Sequence, residues 1–129
     1  MHVPADLRYT KTHEWAKREG SEVIIGITSH AQEELRDIVF LELPKVGRTV
    51  KQGEPVAVIE SVKAAFDIYA PVSGTMTRTN TALSKSPQLV NTDCYGEGWF
   101  FAIAPSHPEE LNTLLTSDEY AKLIEAGAH

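Results

Sequence analysis

The chain has 129 residues, 42% hydrophobic and 23% charged, which is ordinary for a globular protein large enough to bury a core without disulfides or metals. Its net charge of −6 argues against nucleic acid as a partner, and its single cysteine, Cys94, excludes an internal disulfide. No apolar run approaches the ~20 residues of a bilayer-spanning helix, and Met1-His2-Val3-Pro4-Ala5-Asp6 has neither a secretory nor a transit-peptide pattern, so no membrane partner and a bacterial cytoplasmic location are expected, with the mitochondrial matrix the alternative for a processed eukaryotic form.

Residues 7–19 read as extended, and Gly20-Ser21 turns into Val23-Ile24-Ile25-Gly26-Ile27-Thr28, a β-branched strand that can pair back as a hairpin. Ser29 followed by Gln32 has capping-box spacing, which predicts a short helix from about His30 to Leu35 or Arg36. Asp37 to Leu43 is a strand ended by Pro44, with Phe40 and Leu41 expected to face apolar surroundings on opposite sides. Glycines 47 and 53 bracket a very short strand.

Further on, Thr75 to Thr79 is a strand, residues 80–83 begin a loop, and Pro87 opens a single helical turn. Trp99 to Ile103 is an aromatic strand. From His107 the pattern becomes helical, with Ser117 as a cap, Tyr120, Leu123 and Ile124 on one face, and Gly127 as a stop. Pro44 to Val50 also echoes Pro71 to Met76, each reading proline, turn glycine, threonine, apolar, as expected of two halves related by a pseudo-twofold axis. The sum is a single, mainly β domain over residues 1–129, with a helical segment over about 107–127.

The central feature is a hairpin over about 55–71. Pro55-Val56-Ala57-Val58-Ile59 leads in, Phe66-Asp67-Ile68-Tyr69-Ala70 leads out, and Lys63 stands at the tip beside Ala64 and Ala65. An arbitrary lysine is a solvated charge. This one combines a tight tip, small neighbours and an upstream Glu60 suited to recognition. Acylation would remove its charge and leave a long neutral arm. A catalytic amine is the rival use, but such a lysine is usually buried to lower its pKa, and a tip does not offer that.

The segment from Val58 to Gly74, containing Ile59-Glu60-Ser61-Val62-Lys63-Ala64, closely resembles the lipoyl-lysine region of the glycine cleavage H-protein family. The resemblance extends to Tyr9-Thr10-Lys11-Thr12-His13-Glu14-Trp15, Gly26-Ile27-Thr28, Asp37 to Pro44, Pro87 to Asn91 and Tyr95-Gly96-Glu97-Gly98-Trp99. It implies a lipoyl-domain-like barrel-sandwich hybrid of two antiparallel sheets. It also implies a carrier without catalysis of its own, with (R)-lipoate held as N6-lipoyllysine on Lys63. Such a carrier receives the aminomethyl group of glycine from the decarboxylating P-protein, yields it to the aminomethyltransferase T-protein, and is reoxidised by the dihydrolipoyl dehydrogenase L-protein. A lipoate ligase or lipoyl/octanoyltransferase would load it, with Glu60 as a recognition charge, and a monomer is expected. Carriage of lipoate for another complex is the alternative.

By the same resemblance Thr12, Glu14 and Asp67 belong to a cleft that shelters the arm. From the residues alone, Glu14 is an exposed charge beside Trp15, and Asp67 an edge-strand carboxylate that discourages sheet-to-sheet pairing. Phe66, Cys94 and Glu34 depart from the family's usual residues. Biotinyl domains flank their lysine with methionines and 2-oxoacid dehydrogenase lipoyl domains place aspartate before it; Val62 and Ala64 fit neither. The five histidines, at 2, 13, 30, 107 and 129, show no metal-binding spacing.

Overall fold

A computed structural model describes residues 3–127; Met1, His2, Ala128 and His129, including the two terminal histidines, lie outside the described residues. The strands are β1 (Arg8–Tyr9), β2 (Glu14–Glu19), β3 (Glu22–Ile27), β4 (Ile38–Glu42), β5 (Thr49–Val50), β6 (Pro55–Ser61), β7 (Ala65–Tyr69), β8 (Gly74–Thr79) and β9 (Phe101–Pro105). The α-helices are α1 (Ser29–Leu35), α2 (Ala82–Lys85), α3 (Leu89–Thr92) and α4 (Ser117–Glu125), with a 3₁₀ helix at Pro108–Thr113. The fold is mainly β, as expected. One antiparallel sheet runs β1-β2-β3-β9-β8-β5 and the other β4-β6-β7.

The large sheet is covered on both sides, which explains the unbroken apolar run of β3. Val23, Ile25 and Ile27 point into the core shared with the small sheet, against Leu41, Ile59 and Ile68. Ile24 points the other way, into a second cluster with Tyr9, Trp15, Ala102 and Tyr120 beneath α4. Each such aliphatic side chain stabilises the fold by about 1.5–3 kcal/mol when fully buried. Gly26 faces Trp15 across the β2–β3 ladder, and a Cβ there would lie 2.7 Å from the indole.

The two echoing segments pair with each other. Thr49 is opposite Thr75 and Val50 opposite Gly74, and the Gly47 N–H donates to Met76 O at 2.8 Å. Antiparallel pairing relates them by a local twofold.

Several boundaries differ from the sequence reading. Thr28 caps α1, accepting from the Ala31 N–H, so Ser29 is already helical and Glu33 and Glu34 fall beyond the first turn. Thr116 likewise replaces Ser117, forming a capping box with Glu119. The stretch expected as a loop from residue 80 contains α2, and the aromatic strand begins at Phe101 instead of Trp99. Phe40 is half exposed because β4 carries a bulge between Ile38 and Phe40, which breaks the alternation.

Candidate functional site

The hairpin is β6, a three-residue loop and β7. Its tip is held by Ser61, whose N–H donates to Ala64 O at 2.9 Å and whose Oγ accepts from the N–H groups of Lys63 and Ala64, both at 3.1 Å. A serine hydroxyl that gathers two following amides is a local turn lock. The Val62 N–H donates to Asp37 O at 3.0 Å and ties the tip to the residue before β4. Lys63 therefore stands exposed on a defined loop. Glu60, opposite Ala65, is exposed at the end of β6.

Beside the tip is a cleft of about 390 Å³ that Lys63 itself lines. Ile27, Leu35, Ile59, Ile68 and Phe66 make its apolar surface. Thr12 and Asp67 also line it. Asp67 is exposed on β7, the edge strand of the small sheet.

Glu14 is not an exposed charge. Its side chain is fully buried at the start of β2. The Thr10 and Thr12 hydroxyls each donate to Oε1 at 2.5 Å, and the Tyr69 N–H donates to Oε2 at 3.2 Å. Burial pushes its carboxyl above the usual range, and these hydrogen bonds pull in the opposite direction. Glu14 thus lies behind the cleft wall formed by Thr12 and Tyr69, rather than on it. The turn that presents it contains His13 at φ 72°, in the left-handed region, where a non-glycine residue is uncommon and histidine is enriched.

Sequence reasoning missed the histidines of this site. His13 and His30 both line the cleft, with ring centroids 4.8 Å apart, although 17 positions separate them in the numbering. Only the fold brings the turn before β2 and helix α1 together, and no local motif signals it. Of the departures, Phe66 is 49% exposed on the cleft surface. Glu34 lines the cleft too, 4.0 Å from His30 Nε2. Cys94 is buried, its thiol pushed up to about 11 chiefly by burial, which is the wrong state for a nucleophile. Its carbonyl accepts from Trp15 Nε1 at 2.9 Å.

Residues 7–127 match the family model described as "Glycine cleavage H-protein". The chain belongs to the glycine cleavage H-protein family. This is the lipoyl-carrying shuttle of the glycine cleavage system. Similar relatives include the glycine cleavage system H proteins of Thermus thermophilus (53% identical, covering 99% of this chain and all of that protein) and Rubrobacter xylanophilus (54% identical, covering 95% of each). Among solved structures, a glycine cleavage system H protein from Mycobacterium marinum superposes with a TM-score of 0.88 at 40% identity, covering 95% of this chain and 99% of that one. No helix among the described residues is long and apolar enough to cross a membrane.

Proposed function

We propose that Lys63 is the lipoyl attachment site and that the adjoining cleft is the resting place of the arm. The carrying observation is the juxtaposition of an exposed lysine, on a turn locked by Ser61, with a cleft that the same lysine lines. The donor set fits the group. The cleft is walled by Ile27, Leu35, Ile59 and Phe66, which suit an alkyl chain and a sulfur ring, since sulfur packs favourably against aromatic edges. When bound, lipoate would supply a disulfide that is reduced as it takes up the aminomethyl group of glycine, and the dithiol left when that group departs would be reoxidised to the disulfide.

The protein's own residues hold, orient and shield. Ser61 fixes the direction of the lysine stem. The apolar wall excludes water from whatever the cleft encloses. Glu14, held by Thr10, Thr12 and the Tyr69 amide, places a carboxyl group behind the wall. A cationic amine entering the cleft favours the ionised form of that carboxyl, and in so dry a position the attraction is stronger than in water. Thr12 and Asp67 supply the polar lining. Residues 1–129 act as one carrier domain that serves the P-, T- and L-proteins in turn, and the chain contributes tethering, not catalysis.

The test is direct. The protein is loaded with lipoate and mapped by mass spectrometry, then assayed in glycine decarboxylation reconstituted with the P-, T- and L-proteins. Lys63→Ala is expected to lose the lipoyl mass and to fall to the background rate. A lipoylated or active Lys63→Ala protein overturns the assignment.

A further inference from the structure

The hairpin has two faces, and the cleft lies against the inward one, reaching the outward row at Asp67 on the β7 edge. Cross-strand neighbours share a face. Leu41, Ile59 and Phe66 form an inward row, and Phe40, Glu60 and Ala65 the adjacent outward row. The bulge makes Val39 the extra residue of β4, so the strand reads in, out, out, in. Ile38 and Leu41 are buried, while Val39 and Phe40 are 53% and 52% exposed. Bulges re-aim side chains, and this one turns two large apolar groups to water on an edge strand.

Val62, at the tip, is 68% exposed and is tied to Asp37 just ahead of the bulge. Glu60 and Glu42, both exposed, flank Phe40 on the outward face. The result is an apolar patch with an acidic rim that begins one residue from Lys63.

We infer that this outward face is the docking surface for the enzyme that acylates Lys63, a partner presenting an apolar pocket with a basic rim. The inference rests on Lys63 being the attachment site. Before an arm exists, the amine extends no further than its own side chain. The acylating enzyme must therefore bring its active site over the tip, and its footprint must include the tip's immediate neighbours. Partners of the loaded chain meet the end of a long arm and are free of that constraint. An aromatic anchor gives the contact its affinity. Opposite charge around it gives speed and orientation.

The experiment incubates full-length unloaded protein with a lipoate–protein ligase, lipoate and ATP, and follows lipoyl mass on Lys63 at low carrier concentration. Phe40→Ser is expected to load about 10-fold more slowly, through KM. Glu42→Lys is expected to load about threefold more slowly, with the deficit shrinking at high salt. Val46→Ser is the control and keeps the wild-type rate. Val46 is 61% exposed on a turn whose backbone bonds to β8, at the end of β6 far from the tip. Val39→Thr, nearly isosteric and exposed, replaces Phe40→Ser if that variant melts early, and should also slow loading. Phe40→Ser or Val39→Thr loading within twofold of wild type overturns the inference, as does an equal loss in Val46→Ser. If the wild-type chain is not loaded at Lys63, the attachment assignment itself fails; if it is loaded and the patch variants keep pace, only the docking surface fails.

Discussion

Glu14 has three hydrogen-bond donors and no solvent contact. The donors favour its charged form, but burial favours the neutral one and is the larger influence, so the folded protein holds this proton more tightly than the unfolded chain. The sign follows. The associated stability is fully present below the ordinary glutamate range and is lost as pH rises through the folded value. Each unit by which the folded value exceeds the unfolded one corresponds to about 1.4 kcal/mol. Glu14→Gln does not titrate, so the stability of wild type relative to this variant should decline across that window. Thermal unfolding at a series of pH values checks this, and a difference that stays flat with pH contradicts it. The sequence pointed to Glu14 only through family resemblance. Its enclosure depends on Tyr69, 55 positions away, and no local pattern carries that information.

Among the elements, strands were legible and caps nearly so. Runs rich in β-branched or aromatic residues, bounded by glycine or proline, marked β3, β6 and β7 because a pleated, half-buried surface selects those residue types. The caps slipped by one residue, and for the same reason each time. Thr28-Ser29 and Thr116-Ser117 are both pairs in which either residue can cap, and only the backbone decides: Thr28 and Thr116 are extended, at ψ 164° and 170°. The bulge at Val39 was hidden because an extra residue leaves no compositional mark. Gly74 looked like a plain turn residue after Ser73, yet it faces Pro105 in the β8–β9 ladder, where a Cβ would lie 2.1 Å from Ala104 O. A backbone oxygen cannot retreat without breaking that ladder. Gly74→Ala should therefore cost about 3 kcal/mol, at the upper end of overpacking penalties, read as a fall in the urea midpoint. A wild-type midpoint would mean that the strands separate freely here.

Across the whole molecule, the tail helix is coupled to the cleft through one side chain. The shared face of Tyr120, Leu123 and Ile124 was visible in the sequence, but the surface receiving it was not, because the Tyr120 hydroxyl's partners Thr28 and His13 lie 92 and 107 positions away. Tyr120 is fully buried and stacks on Tyr9 with ring centroids 4.7 Å apart. Its hydroxyl lies 2.7 Å from His13 Nδ1 and 2.7 Å from Thr28 Oγ1. His13 belongs to the turn whose Thr10 and Thr12 hold Glu14. Thr28 caps α1, whose His30, Ala31 and Leu35 line the cleft. One hydroxyl therefore braces both walls. Tyr120→Phe keeps the ring and its stacking and removes only that brace. Leaving buried partners short of a hydrogen bond costs about 1–3 kcal/mol, so the denaturant midpoint should fall accordingly. Hydrogen exchange locates the effect. Amides of residues 10–14 and of α1 should exchange faster, while those of Lys63 and Ala64, held by Ser61, should not change. Unaltered exchange in both cleft walls, with the midpoint lowered, would confine the hydroxyl to holding α4 in place and would break the link between the tail and the cleft.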